Sequence, residues 1–183
     1  MPNLSVPTVE VAESFRAAMA EFTAEGRGAP DDDTMIGWEI RMFGPSWDDP
    51  SGFADFVRAL REQAVEDVAR PANLVPCTTW WWLDGTEYLG RIALRHRLNE
   101  RLREMGGHIG YDVRPSARGR GHATAMLAAV LPYAAAMGID PALVTCDVDN
   151  VASRRVIEGA GGVLEDERHG KLRYWVGTGS ERG

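Results

Sequence analysis

Cysteine is scarce in this chain. Cys77 and Cys146 are its two cysteines. They are far apart and have no neighbours in a metal-ligand pattern, so free buried thiols are expected rather than a disulfide framework or a zinc site. Long hydrophobic runs are absent as well, and no stretch reaches membrane-spanning length. The first residues lack a basic-then-apolar leader, which makes a cytoplasmic protein the expectation. Internal repeats and low-complexity tracts are missing, which excludes solenoids. Positive charge is in deficit: a formal net charge of −7 argues against a general nucleic-acid binder and is compatible with a cationic partner such as an amine. What remains is ordinary globular material, with 44% hydrophobic and 26% charged residues over 183 positions, so one domain spanning 1–183 is expected.

Val11, Phe15, Met19 and Phe22 recur at helical spacing and predict a helix ending at Gly26 and Gly28. The stretch 29–50, with its Asp31-Asp32-Asp33 run and prolines, reads as irregular. A second helix is predicted after Pro50, with Phe53, Phe56, Val57, Leu60, Ala64 and Val68 on one face and Pro71 as its stop. Cys77–Leu83 and Glu87–His96 read as strands joined by a hairpin at Asp84-Gly85. Trp80-Trp81-Trp82 lies in the first of them. Alternation sends Trp81 to one face and its neighbours to the other, with core packing the better reading and an exposed acceptor-lining pair the alternative. One or two helical turns around Leu98–Met105 precede a strand over 107–113. A helix is predicted over 121–137, kinked by Pro132, then a strand over 143–148. Asp149 or Asn150 caps the next helix, whose inner face reads as Ala152, Val156 and Ala160, ended by Gly161-Gly162. Short strands at 163–165 and 172–176 close the chain. This alternation of β and α predicts an α/β (α+β) domain with a mixed sheet.

The sequence Val113-Arg-Pro-Ser-Ala-Arg-Gly-Arg-Gly-His-Ala123 joins the 107–113 strand to the following helix. A strand, a glycine loop and a helix N-terminus form a phosphate cradle. Gly119 and Gly121 allow close backbone approach, the first helical N–H groups lack acceptors, and Arg118 and Arg120 add forked donors. The bland alternative is a surface loop that only caps a helix. Neither a Gly-Lys-Ser/Thr triphosphate loop nor a Gly-x-Gly-x-x-Gly dinucleotide loop is present, which disfavours a nucleotide-binding module.

The order Arg118-x-x-Gly121-x-Ala123 resembles the pyrophosphate motif of the GNAT acetyltransferase superfamily. A second segment carries the likeness further, Asn150-x-x-Ser153 followed by a helix ending at Gly161. The likeness extends over 75–176 as a cofactor-binding core, with 1–70 as N-terminal helices and a variable loop. Within the superfamily the chain is similar to a subgroup of predicted acetyltransferases through Arg95-His96-Arg97-Leu98-Asn99, Gly107–Tyr111, Thr145-Cys146-Asp147 and Arg173-Tyr174-Trp175.

The resemblance implies a mostly antiparallel sheet flanked by helices and splayed at the cofactor strand by a local bulge. It implies acetyl-CoA as co-substrate, no metal, and direct transfer of acetyl to an amine. Cofactor contacts are then expected from Tyr111, Val113, Arg118, Gly119, Arg120, Gly121, His122, Ala123, Asn150 and Ser153. Asn150 would meet the pantetheine arm or acyl end, with a plain helix cap as the alternative. Many relatives place a tyrosine acid four residues after the motif serine, where this chain has Ile157. Tyr174 is a substitute candidate, with a core tyrosine as the alternative. His96, at a strand end, is the candidate base, with a structural histidine as the alternative. Glu100 and Asp112 could attract a cationic amine, or be simply solvated. The expected partner is a small-molecule amine, with no nucleic acid or membrane; a homodimer is compatible. A catalytically silent acyl-CoA-binding or sensor domain is the alternative function.

Overall fold

The computed structural model describes residues 1–179. A seven-stranded sheet runs in the order β1-β2-β3-β4-β5-β7-β6, formed by Asn3–Ser5, Cys77–Asp84, Glu87–Arg95, Ile109–Val113, Ala142–Asp147, Val163–Arg168 and Lys171–Val176 for β1 to β7 in chain order. Every neighbouring pair is antiparallel except β4 with β5. Helices α1 (Ala12–Ala24), α2 (Met35–Phe43) and α3 (Pro50–Glu62) lie on one face, and α4 (His122–Ala136) and α5 (Val151–Gly159) on the other.

Strand alternation divides the apolar residues between two cores. Trp81, Leu83 and Tyr88 join Phe15, Phe22, Phe53, Phe56 and Leu60 beneath α1–α3. Trp80, Trp82, Ile92, Leu94, Ile109, Val144 and Tyr174 pack beneath α4 and α5 with Met126, Leu127, Val130 and Ile157. All three consecutive tryptophans are buried. The exposed, acceptor-lining pair weighed from sequence is therefore not formed.

Several elements differ from their sequence reading. The stretch 29–50 holds a helix, α2, because Asp32 and Thr34 organise its start. Asp32 accepts from the N–H groups of Gly28 and Thr34, and the Thr34 hydroxyl caps α2 by accepting from Gly37 N at 3.1 Å. Helix α3 stops at Glu62, short of Pro71, and Val65 is exposed. The inner face of α5 is rotated: Ile157 is fully buried and Ala152 exposed. Pro132 sits on the solvent face of α4, where the unpaired Ala128 carbonyl can meet water.

The splay has a different origin from the expected bulge. The β3–β4 register runs without interruption from Leu94↔Ile109 to Gly90↔Val113. Instead β4 and β5 pair only at Ile109↔Val144 and separate beyond it. The closed end is clasped just before β4. His108 N donates to Leu143 O at 2.7 Å, and Leu143 N donates back to His108 Nδ1 at 2.9 Å. Gly107 (φ 64°) permits this approach, since a Cβ there would lie 2.5 Å from Leu143 O.

Candidate functional site

The open end of the β4–β5 splay leads to the N-termini of α4 and α5. Arg95 N donates to His108 O and Arg114 N to Leu89 O, so the His108 carbonyl and the Arg114 N–H face β3 and set the alternation of β4. Tyr111 and Val113 therefore direct theirs away from β3, into the gap that β5 has left. An extended ligand arm can pair there as an added strand.

The glycine loop lies at the mouth of this gap. Gly119 (φ 76°) and Gly121 (φ 81°) both adopt left-handed backbone, and Gly121 begins α4 with no side-chain cap. The first helical turn closes with Ala125 N on Gly121 O. The N–H groups of 119–124 have no acceptor among the described residues. Consecutive donors of this kind, at the positive end of a fifteen-residue helix, form an anion site. The loop's charged side chains are arranged differently from the sequence expectation. Arg118 is held by α1: its Nη atoms fork onto Glu25 at 2.8 Å each, Nε donates to Val113 O, and the group lies over the Phe22 ring. Arg120 is exposed and makes no ion pair among the described residues, so it is the arginine left available to a phosphate. His122 turns its imidazole to the sheet, where Nδ1 accepts from Trp82 Nε1 at 3.2 Å. Its backbone N–H, and that of Ala123, stay in the cradle.

Across the gap, Asn150 caps α5 by accepting from Ser153 N at 3.0 Å, and its amide nitrogen has no partner among the described residues. Tyr111 reaches α5, its hydroxyl 2.7 Å from Ser153 Oγ. Burial, the largest influence, pushes the Tyr111 hydroxyl up to about 12. Position 157, where the resemblance led to the expectation of a tyrosine, faces the core as Ile157.

Neither catalytic candidate named from sequence is placed at this gap. Tyr174 is 1% exposed and donates to Glu158 Oε1 at 3.0 Å; Glu158 also pairs with Arg154. His96 sits past the end of β3, with Nε2 2.7 Å from Thr78 Oγ1 of β2 and its N–H on Pro76 O. That bond points away from β4, at the end where the sheet is closed. Burial lowers its pKa. Glu100 is exposed.

The α2 face of the sheet carries Asp112, which the sequence offered as an attractor of a cationic amine, together with Arg27, Arg91 and Glu39, which it did not single out. Asp112 projects there, half-buried, with Arg27 Nη2 3.5 Å away. Burial is the main cause raising its pKa. Arg27, Arg91 and Arg118 oppose that rise and Asp32 adds to it. Arg91, the cross-strand neighbour of Asp112, forms a buried ion pair with Glu39 of α2. Helices α4 and α5 cover the opposite face. Among the described residues no group of three or more His, Cys, Asp or Glu side chains could hold a metal, and no helix is long and apolar enough to cross a membrane.

Comparison with known proteins agrees with this geometry. The profile of the acetyltransferase (GNAT) domain matches residues 29–163. A search of curated proteins finds no significant match. The fold is similar to that of the microcin C7 self-immunity acetyltransferase MccE, solved with acetyl-CoA and AMP (TM-score 0.63, 14% identity, covering 96% of this chain and 92% of that one). It is also similar to Mycobacterium smegmatis RimJ, solved with a CoA disulfide (0.64, 18%, 97% and 86%). A third similar structure is RimL, a ribosomal L7/L12 alpha-N-protein acetyltransferase (0.59, 17%, 95% and 88%). With an unsatisfied amide cradle at the mouth of a splayed parallel pair and a family profile spanning most of its length, this chain belongs to the GNAT acetyltransferases, enzymes that use acetyl-CoA as acetyl donor.

Proposed function

We propose that the chain transfers acetyl directly to the amine of a small molecule, with Asp112 as the proton acceptor. The observation that carries this reading is the position of Asp112, on the strand whose neighbours Tyr111 and Val113 face the gap and on the face opposite the cofactor helices. When bound, acetyl-CoA supplies an activated thioester. The amides of 119–124 and Arg120 hold its phosphates, the main chain of Tyr111 and Val113 aligns its arm, and the Asn150 amide meets that arm from α5. A Tyr111 N–H directed into the gap suits the negative charge that develops on the carbonyl oxygen.

An amine with a pKa of about 10 arrives protonated and must lose a proton before it attacks. A partly desolvated carboxylate is a stronger base than a solvated one. The Tyr111 hydroxyl can hydrogen-bond the departing sulfur, and a thiolate whose conjugate acid has a pKa of about 8.5 needs little more. A small acceptor is favoured because Arg27, Asp32 and Met35, from the α1–α2 connection and the start of α2, close over this part of β4. RimL is named for modifying a protein N-terminus, so the discriminating assay measures CoA-thiol release with small amines beside N-terminal peptides.

For the base, Asp112→Asn should lower kcat by about 100-fold or more, the scale of general-base loss. Acetyl-CoA affinity should be kept. Since the carboxylate must be ionised to act, wild-type turnover should fall as pH drops through the raised pKa of Asp112, and the variant's profile should lose that limb. An unchanged profile removes Asp112 from the reaction. Binding of acetyl-CoA with no turnover of any amine or peptide would make the protein a silent acyl-CoA-binding domain.

A further inference from the structure

Arg95 ends β3 on the same face as Asp112, half-buried. Its Nη1 donates to the carbonyls of Gly106 and Gly107 at 3.1 and 3.2 Å, and Nη2 to Met35 Sδ at 3.1 Å. Carbonyls and a thioether are neutral acceptors, the thioether a weak one. Other buried or half-buried guanidiniums here have carboxylates: Arg91 has Glu39, Arg114 has Glu21 and Arg173 has Asp166. Arg95 forms no ion pair among the described residues. Of the titratable groups that act on it, Cys77 favours the cation and two further cations, Arg91 and Arg101, oppose it. A cation withdrawn from water without a counter-ion is unfavourable.

Its position is informative. A Cβ built on Gly110 would lie 3.7 Å from Arg95 Nη1 and 3.8 Å from Met35 Cε, so the guanidinium and the methionine methyl roof Gly110 on the face of Asp112. Asp112 projects from that face two residues further along β4, about 7 Å away at the usual strand rise. That face thus carries a guanidinium without a carboxylate beside Gly110, and at Asp112 a carboxylate whose ion-pair partner, Arg27, lies 3.5 Å away.

We propose that Arg95 is the carboxylate-binding residue of the acceptor site, and that the acceptor is an amino acid with a free amine and a free carboxylate. This rests on the reading that acetyl-CoA lies along β4 and that Asp112 takes the proton. The carboxylate forks onto Arg95 while the ammonium approaches Asp112. Proton transfer to Asp112 frees the amine nitrogen, which bonds the acetyl carbonyl carbon. The carbon–sulfur bond breaks with its electron pair leaving on sulfur, and the second proton of the acylated nitrogen passes to that thiolate, which gives the neutral amide and the free CoA thiol. A singly charged carboxylate fits better than a phosphate dianion, because the adjacent cation, Arg91, is already neutralised by Glu39.

The test compares matched acceptors on the intact enzyme: glycine, β-alanine and γ-aminobutyrate against their carboxamides and against N-terminal peptides, with acetyl-CoA binding measured in parallel. At least one acid should exceed its amide by about 100-fold in kcat/KM, since a site that hydrogen-bonds a substrate group rejects analogues lacking it. Arg95→Gln should erase that preference mainly through KM, and Arg95→Lys should restore part of it. Equal rates for acid and amide in the wild type overturn the proposal without requiring any variant to fold. So does a preference that survives in Arg95→Gln, faster acetylation of peptides, or no turnover of any amino acid by protein that binds acetyl-CoA. Failure to bind acetyl-CoA overturns instead the reading on which the proposal rests.

Discussion

At the glycine loop, what glycine supplies is backbone conformation and open space. A Cβ at Gly121 meets nothing within 4 Å, yet φ is 81°, where side chains other than Asn or Asp are strained. Gly121→Val therefore confounds backbone strain with loss of the ligand site. Gly121→Asn is the cleaner probe, because asparagine tolerates left-handed backbone while its side chain enters the space above the free amides. It should stay folded, with Tm within a few degrees of wild type, and weaken acetyl-CoA binding by about tenfold or more, equivalent to about 1.4 kcal/mol. Calorimetry showing wild-type affinity would remove the loop from phosphate binding. This loop was readable in the sequence because its chemistry is contiguous. The partners that redirect its side chains were not, because they are remote. Arg118 is taken by Glu25, 93 positions away, and Tyr111 meets Ser153 across 42. For the same reason the missing counter-ion of Arg95 is invisible until the chain is folded.

At the scale of elements, strands and glycine-bounded helices were legible through periodicity, while helix phase and the α2 segment were not. In α5 the small residues suggested one face, but Ile157 seeks the core more strongly than Ala152 and rotates the helix. In 29–50 the acidic run obscured a helix that Asp32 and Thr34 initiate. The β4–β5 clasp offers a test at this level. His108 must be neutral at Nδ1 to accept from Leu143 N, and burial, with Arg103 and Arg95 adding, lowers its pKa to about 4. The folded value lies below the unfolded one of about 6.5, so this stability is present above pH ~6.5 and is lost as pH falls toward ~4, about 3 kcal/mol in all. His108→Asn keeps an acceptor near Leu143 N and removes the titration. Urea denaturation at pH 7 and 4.5 should show a smaller loss for the variant than for wild type. Equal losses would mean that the clasp does not depend on a neutral imidazole.

At the scale of the molecule, the first 70 residues read in the sequence as a helical and variable region beside a cofactor-binding core. The structure packs them as half of the interior. Helices α1–α3 bury Trp81, Leu83 and Tyr88 of β2 and β3, and α2 supplies Glu39 to the buried Arg91. Glu21 of α1 and Glu25 just past its end also hold the glycine loop, Glu21 on Arg114 and Ser116 and Glu25 on Arg118. The sequence showed these helices as amphipathic without saying what they covered, because a hydrophobic stripe does not name its partner. A fragment of residues 71–183 would expose those three side chains, each worth about 1.5–3 kcal/mol when buried. It would also part Arg91 from Glu39 and leave its guanidinium to water. The three burials together approach the whole net stability of a domain, about 5–15 kcal/mol. The fragment should therefore show no cooperative thermal transition, bind a hydrophobic dye, and lack acetyl-CoA affinity even though the glycine loop is complete. If 71–183 instead melted sharply and bound acetyl-CoA, the N-terminal helices would be a separable accessory, and a single domain over the full chain would be refuted.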